Sequence, residues 1–209
     1  MNVFRPLVAA VKALAVLTLL LGVLYPATVT AIGRLVPGPT DGSLLVVDGK
    51  VVGSSLLGPP PGTDPRFFQG RPSASDSSGQ TSGGTNLGPS APELAKAVTE
   101  RAAALRAANP QARAPIPADA LTASGSGLDP DISPEYAAWQ SARVAAASGL
   151  PLKDVEALIA AHTASPALGF IGAPRVNVSE LNVALAQRAQ PGAGAKTESV
   201  RIATWPADG

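Results

Sequence analysis

Few residues in this sequence could do chemistry. His162 is the only imidazole and the chain has no cysteine, so a transition-metal site of the His/Cys type cannot be built. His162 falls near the end of an apolar helical stretch, where a cation complements the helix dipole and caps carbonyls. No nucleophile motif accompanies it. Ser126, within Ser124-Gly-Ser-Gly127, lacks the glycines two residues to either side that a nucleophile elbow uses. Gly192-Ala-Gly-Ala-Lys-Thr197 imitates the end of a phosphate-binding loop, but its spacing is wrong and no strand precedes it. Three polar motifs are richer than turns require: Gln69-Gly-Arg-Pro-Ser-Ala74, Ser82-Gly-Gly-Thr-Asn86 and Thr122-Ala-Ser-Gly-Ser-Gly-Leu-Asp-Pro130. Runs of small residues of this kind either cradle an anion with successive N–H groups or form ordinary turns. In the turn reading Asp129 caps or braces a neighbour, and Gly125 and Gly127 hold backbone conformations closed to residues with a Cβ.

The elements that must position these motifs are legible in part. Ser43-Leu-Leu-Val-Val47 and Lys50-Val-Val52 flank Asp48-Gly49, a strong hairpin signal, and Ser54-Ser-Leu-Leu57 reads as a further short strand. Gly58-Pro-Pro-Pro-Gly62 ends regular structure. The Gly/Ser/Pro-rich stretch from Asp64 to Pro92 is long for a loop, and Phe67, Phe68 and Leu87 give it apolar anchors. Four helices follow. Pro92 to Ala108 is Ala- and Leu-rich and stops before Asn109-Pro110. Ser133-Pro-Glu135 caps the second, which Gly149 ends. Pro151 opens the third, with the stripe Leu152, Val155, Leu158 and Ile159. Asn177-Val-Ser-Glu180 has capping-box spacing and opens the fourth.

In front of this domain, Ala13 to Ile32 is an uncharged run of the length a helix needs to cross a bilayer. Arg5 and Lys12 before it, against Arg34 behind it, favour a cytoplasmic N-terminus and export of the remainder. A cleaved signal peptide fits the same residues: Ala13 to Leu24 has h-region length, and Val29-Thr30-Ala31 suits a peptidase. Sixteen basic against 15 acidic residues give no electrostatic reason to expect nucleic acid. Twenty-one Gly and 21 Pro, with 4% aromatics, call for many turns around one modest core.

The motifs acquire further meaning from their order. Phe67-Phe-Gln-Gly-Arg-Pro-Ser-Ala74 and Ser82-Gly-Gly-Thr-Asn-Leu-Gly-Pro89 precede Pro115-Ile-Pro-Ala-Asp119 and Leu121-Thr-Ala-Ser-Gly-Ser-Gly-Leu-Asp-Pro-Asp-Ile-Ser-Pro134. Tyr136-Ala-Ala-Trp-Gln-Ser-Ala-Arg-Val-Ala145 and Leu168-Gly-Phe-Ile-Gly-Ala-Pro-Arg-Val-Asn-Val178 complete the set. Over roughly residues 5 to 187 this resembles the C subunit of the Kdp high-affinity potassium-transporting P-type ATPase. The sequence departs from that pattern at Asp131, where the family usually carries His, at Gly58-Pro59 in place of Gly-Gln, and at Ala173 in place of Glu. A Tyr-Asn pair before the Ser-Gly-Gly motif is replaced by Ser77-Ser-Gly-Gln80.

The resemblance implies a non-catalytic accessory subunit with no cofactor of its own, meeting ATP through the complex. Its partners would be a potassium-channel-like subunit, a P-type ATPase subunit and the lipid bilayer. The C subunit is described as a catalytic chaperone that raises the ATPase subunit's affinity for ATP. Gln140 and Arg143 are then the residues to associate with nucleotide contact; bracing of the second helix by its neighbours explains them as well. Arg71, Ser82, Gly83, Gly84, Asn86, Ser124, Gly125, Ser126, Gly127, Asp129, Arg175 and Asn177 become structural or assembly residues.

The expected fold is α+β: a transmembrane helix, then one extracytoplasmic domain with a short hairpin or small sheet, long ordered loops and about four helices. Residues 1–12 form a short cytoplasmic N-terminus, 13–32 span a bacterial inner membrane, 33–190 form the domain and 191–209 a flexible tail. The alternative is an exported soluble binding domain released by signal peptidase.

Overall fold

The computed structural model describes residues 3–35, 39–47 and 49–189. The expected tail 191–209 and Asp48 of the hairpin turn lie outside the described residues. The chain divides into two units, the first ending at Ser43 and the second starting at Leu44.

In the first unit a single apolar helix, α1, runs from Phe4 to Gly33, with none of its most apolar stretch buried in the protein. It begins earlier than the uncharged run, so Arg5 and Lys12 lie on the helix itself. Thirty residues make it about 45 Å long, more than the ~30 Å of a hydrocarbon core. Pro26 has no N–H and its ring would strike the carbonyl one turn back. The helix accommodates it by widening into a π-helical segment at Leu20–Leu24, where the Tyr25 N–H donates to the Leu20 carbonyl. Thr28 and Thr30 then donate their hydroxyls to the carbonyls of Leu24 and Pro26, both at 2.8 Å. These hydroxyl bonds keep two threonine side chains satisfied within an otherwise apolar helix.

The second unit opens with the hairpin of β1 (Leu44–Val47) and β2 (Lys50–Ser54), paired from Val47↔Lys50 to Leu44↔Ser54 with a bulge after Leu45. Gly49 supplies the positive φ, 76°, that a two-residue loop needs. The expected strand at Ser54–Leu57 does not form. Ser54 instead caps a turn, its Oγ accepting from the Leu56 N–H and its carbonyl from the Leu57 N–H.

Helix α2 (Pro92–Ala108) and a single turn, α3 (Ala118–Leu121), precede β3 (Asp131–Ile132). Helices α4 (Pro134–Ser148) and α5 (Leu152–Ala161) lead to β4 (Thr163–Ala164). Strand β5 (Arg175–Asn177) runs directly into α6 (Val178–Ala189). Strands β3, β5 and β4 form an antiparallel sheet with β5 in the middle. The core lies where α4, α5 and α6 meet this sheet. Tyr136, Val144, Val155, Val176, Leu181 and Leu185 are each all but sealed from solvent. Phe68 reaches the same core from the long loop and Phe67 packs beside it, whereas Leu87 is 38% exposed and anchors nothing there.

Caps define the helix starts. Ser133 accepts from the Tyr136 N–H at 3.0 Å, and its own N–H and hydroxyl donate to Asp119 at 2.7 and 3.0 Å. Asn177 Oδ1 accepts from the Glu180 N–H at 3.0 Å. Gly149, in the left-handed conformation, closes α4.

Candidate functional site

The three polar motifs come together. Ser82 and Gly83 donate their hydroxyl and N–H to the Ser126 carbonyl at 3.0 and 2.8 Å. Ser73 and Ser75 donate to the Gly127 carbonyl at 2.6 and 3.2 Å, and the Ser124 N–H donates to the Pro72 carbonyl at 2.9 Å. Inside the third motif, the Gly127 and Leu128 N–H groups donate to Ser124 Oγ and Ser126 Oγ. Three of the N–H groups that could have cradled an anion, at Gly83, Gly127 and Leu128, are thus donated within the clasp.

Close approach explains two of the glycines, Gly84 and Gly127, while a Cβ on Gly83 would meet nothing within 4 Å. A Cβ on Gly127, whose φ is 70°, would stand 2.5 Å from Ser75 Oγ and 2.7 Å from the Gly83 carbonyl oxygen. One on Gly84 would stand 2.9 Å from the Gly125 oxygen. Gly125 corrects the expectation: nothing lies within 4 Å of its Cβ position and its φ is not positive. Asn86, at the end of the second motif, is exposed and left-handed, with φ 53°.

A charged seam continues from the clasp. Arg71 Nη1 meets Asp129 Oδ2 at 3.0 Å, and Asp129 Oδ1 accepts from the Asp131 N–H at 3.0 Å. Asp131 in turn holds Arg175 Nε at 2.9 Å. Burial outweighs the guanidinium and pushes the Asp131 carboxyl above its ordinary value. Arg71 Nε is buried without a partner, and nothing in the structure explains it. Asn177 ties the seam to the hairpin, donating Nδ2–H to the Ser55 carbonyl at 2.7 Å.

Gln140 and Arg143 stand apart from this clasp, in a second hub. Gln140 is fully buried and grips the backbone of Gln69 from both sides, accepting from its N–H at 2.8 Å and donating to its carbonyl at 3.0 Å. Asn182 does the same to Phe68, at 2.8 and 2.9 Å. Two side-chain amides thereby stand in for a neighbouring strand along Phe68-Gln69. Arg143 completes the hub. Its Nη1 donates to the carbonyls of Pro65 (2.6 Å) and Phe67 (3.0 Å), Nη2 to Gln140 Oε1 (2.8 Å) and Nε to Asn109 Oδ1 (2.7 Å). Burial pushes the Arg143 guanidinium below its ordinary value, yet neutral oxygens satisfy its donors. Asn182 and Asn109 escaped the sequence reading. The only trace of the first is a polar residue beside the apolar stripe of α6, Leu181, Val183 and Leu185.

His162 takes the capping role: its Nδ1–H donates to the Leu158 carbonyl at 2.9 Å at the end of α5. Among the described residues no group of three or more His, Cys, Asp or Glu could hold a metal.

A bare apolar helix long enough to cross a membrane thus precedes an α+β domain whose motif side chains mostly hold its own loops, the build of a single-helix membrane protein. Comparison with known proteins names the kind. The family described as KdpC, the c chain of K+-transporting ATPase, matches residues 7–187. The potassium-transporting ATPase KdpC subunit of Variovorax paradoxus is 51% identical over 188 residues, 88% of this chain and 95% of that one. That of Kineococcus radiotolerans is 52% identical over 187 residues, 88% of this chain and 94% of the other. That of Streptomyces coelicolor is 44% identical over 218, covering 92% and 97%. The chain belongs to the KdpC family and is a non-catalytic subunit of a potassium-transporting ATPase located in the membrane.

Proposed function

We propose that the chain holds the transporter together from outside the cytoplasm. Helix α1 crosses the inner membrane with its N-terminus inside, and the domain docks on the extracytoplasmic face of a potassium-channel-like subunit beside the P-type ATPase subunit. Anchoring in the partners' own bilayer makes docking intramolecular and raises its effective concentration.

The observation that carries this reading is where the polar motifs point. Arg71, Ser82, Gly83, Ser124, Ser126, Gly127 and Asp129 are engaged with one another's loops, and what they build is a clasp joining three loops. The family match begins at residue 7, inside α1, which supports a helix retained in the mature chain over a cleaved signal. Any rise in ATP affinity then arises through the ATPase subunit. The head groups of Gln140 and Arg143 are occupied by Gln69, Pro65, Phe67 and Asn109, which argues against nucleotide contact through those two side chains.

The chain is free of cysteine, so topology can be tested cleanly. Ser90→Cys, at an exposed position, should react with a membrane-impermeant thiol reagent in intact spheroplasts. Reaction only after lysis would place the domain inside and contradict the reading.

A further inference from the structure

One motif is absorbed by neither the clasp nor the hub: the turn between β4 and β5, within Leu168 to Val178. Its tip is strongly apolar. Leu168 is 82% exposed, Phe170 77% and Ile171 54%, the first two being the most exposed large hydrophobic side chains of the described second unit. From Ser165 to Pro174 the sequence carries no charge.

The tip is also stiff. Strands β4 and β5 form its stem through Thr163↔Val176 and Ala164↔Arg175. Ala167 and Ile171 close it with reciprocal N–H···O bonds of 2.9 and 2.8 Å, and the Gly169 N–H donates to the Pro166 carbonyl at 3.0 Å. Leu168 itself is left-handed, with φ 53°, a region unfavourable for a residue with a Cβ. The fold thus accepts backbone strain in order to hold a leucine out in solvent beside a phenylalanine. Strain of this kind persists where the surroundings over-determine it, and it gathers at binding sites. Contiguous apolar exposure rimmed by polar residues marks an interaction surface.

Rigidity and charge together choose the occupant. A fluid bilayer imposes no backbone conformation on a loop that dips into it, whereas a protein recess rewards one held ready in advance. Peripheral membrane insertion also relies on basic companions near the apolar residues. Here the nearest, Arg175, is committed to Asp131 at 2.9 Å. A subunit of a membrane complex has partner proteins for such a tip to meet.

We infer that Leu168, Phe170 and Ile171 form a preformed plug that seats in an apolar, uncharged recess on a protein subunit of the same complex. This rests on the reading that the domain docks on its partners, and on neither side of the membrane in particular.

The test uses the full chain, alone in phosphatidylglycerol-containing vesicles and assembled with its partner subunits. Phe170→Cys should react with a soluble maleimide as fast as Ser90→Cys in the chain alone, and at least about tenfold more slowly than Ser90→Cys in the complex. Phe170→Asp should lower retention on a tagged partner subunit by at least about tenfold, the scale of an interface anchor. Its thermal midpoint should match the parent chain's, and Leu152→Asp, on exposed α5 surface, should be retained like the parent. Protection of the Phe170→Cys thiol in the chain alone would make the bilayer or a second copy the occupant and overturn the inference. Equal reactivity of the Phe170→Cys and Ser90→Cys thiols in the complex, or full retention of Phe170→Asp, would overturn it too. A chain ending at residue 35 separates the two ideas: if it is retained as well as the full chain, the docking reading fails. If only the full chain is retained and Phe170→Asp with it, the plug alone fails.

Discussion

Gly127 is the tightest point of the clasp, and a single methyl group tests whether the clasp carries stability. In Gly127→Ala the new carbon falls 2.7 Å from the Gly83 carbonyl oxygen, a backbone atom that cannot rotate away, and 2.5 Å from Ser75 Oγ, itself bonded to the Gly127 carbonyl. A left-handed residue with a Cβ costs about 1–2 kcal/mol. Pushing Gly83 away strains its N–H bond to the Ser126 carbonyl, worth about 1 kcal/mol. The sum is about 2–3 kcal/mol, which lowers the unfolding midpoint of a domain this size by roughly 4–12 °C. Gly125→Ala, two residues away in the same motif, places its methyl in open space and should stay within about 0.5 kcal/mol. The assay is thermal unfolding of the full-length chain in detergent, followed by tryptophan fluorescence, which Trp139 in the core reports. Equal midpoints for the two variants would refute the reasoning, because composition and motif are shared and only the contact differs.

Three further outcomes follow from the hub and the helix ends. Asn182→Ala orphans the N–H and carbonyl of Phe68 and should destabilise by about 2–4 kcal/mol in denaturant titration, with Gln140→Ala comparable through Gln69. Burial pushes the Tyr136 phenol from 10.0 up to about 12, so the folded state holds this proton more tightly than the unfolded chain does. Its contribution is complete below pH 10 and is lost as pH rises toward 12; Tyr136→Phe should remove this alkaline loss, about 2–3 kcal/mol in a pH series of unfolding free energies. His162→Ala removes a cap on the Leu158 carbonyl and should cost about 0.5–1 kcal/mol in thermal unfolding, leaving potassium uptake at the parental level.

What the sequence disclosed was local. The Asp48-Gly49 hairpin and the Ser133 and Asn177 caps each depend on residues within four positions, and all were readable. The three-stranded sheet was not, because strands of two or three residues are too short to show a period of two. The same holds for the single turn α3. The amide clamps join positions 71 and 114 residues apart, and no spacing announces such a bond. Gly125 and Gly127 look alike in the sequence, and only the packing of Ser75 and Gly83 tells them apart. Phe67, Phe68 and Leu87 look alike as apolar residues in a polar loop, yet the first two join the core and Leu87 stays 38% exposed.

The central claim is that this chain secures the assembly of its transporter without performing chemistry. The most direct measurement is the fraction of the ATPase subunit that co-purifies with a tagged potassium-channel-like subunit from cells lacking this chain, before and after its return on a plasmid. The account predicts a deficit of assembled complex and of high-affinity potassium uptake without the chain, both restored by the parent and, at permissive temperature, less well by Gly127→Ala. A full complement of assembled complex without it, with uptake still absent, would contradict the account and assign the chain a direct part in the reaction cycle.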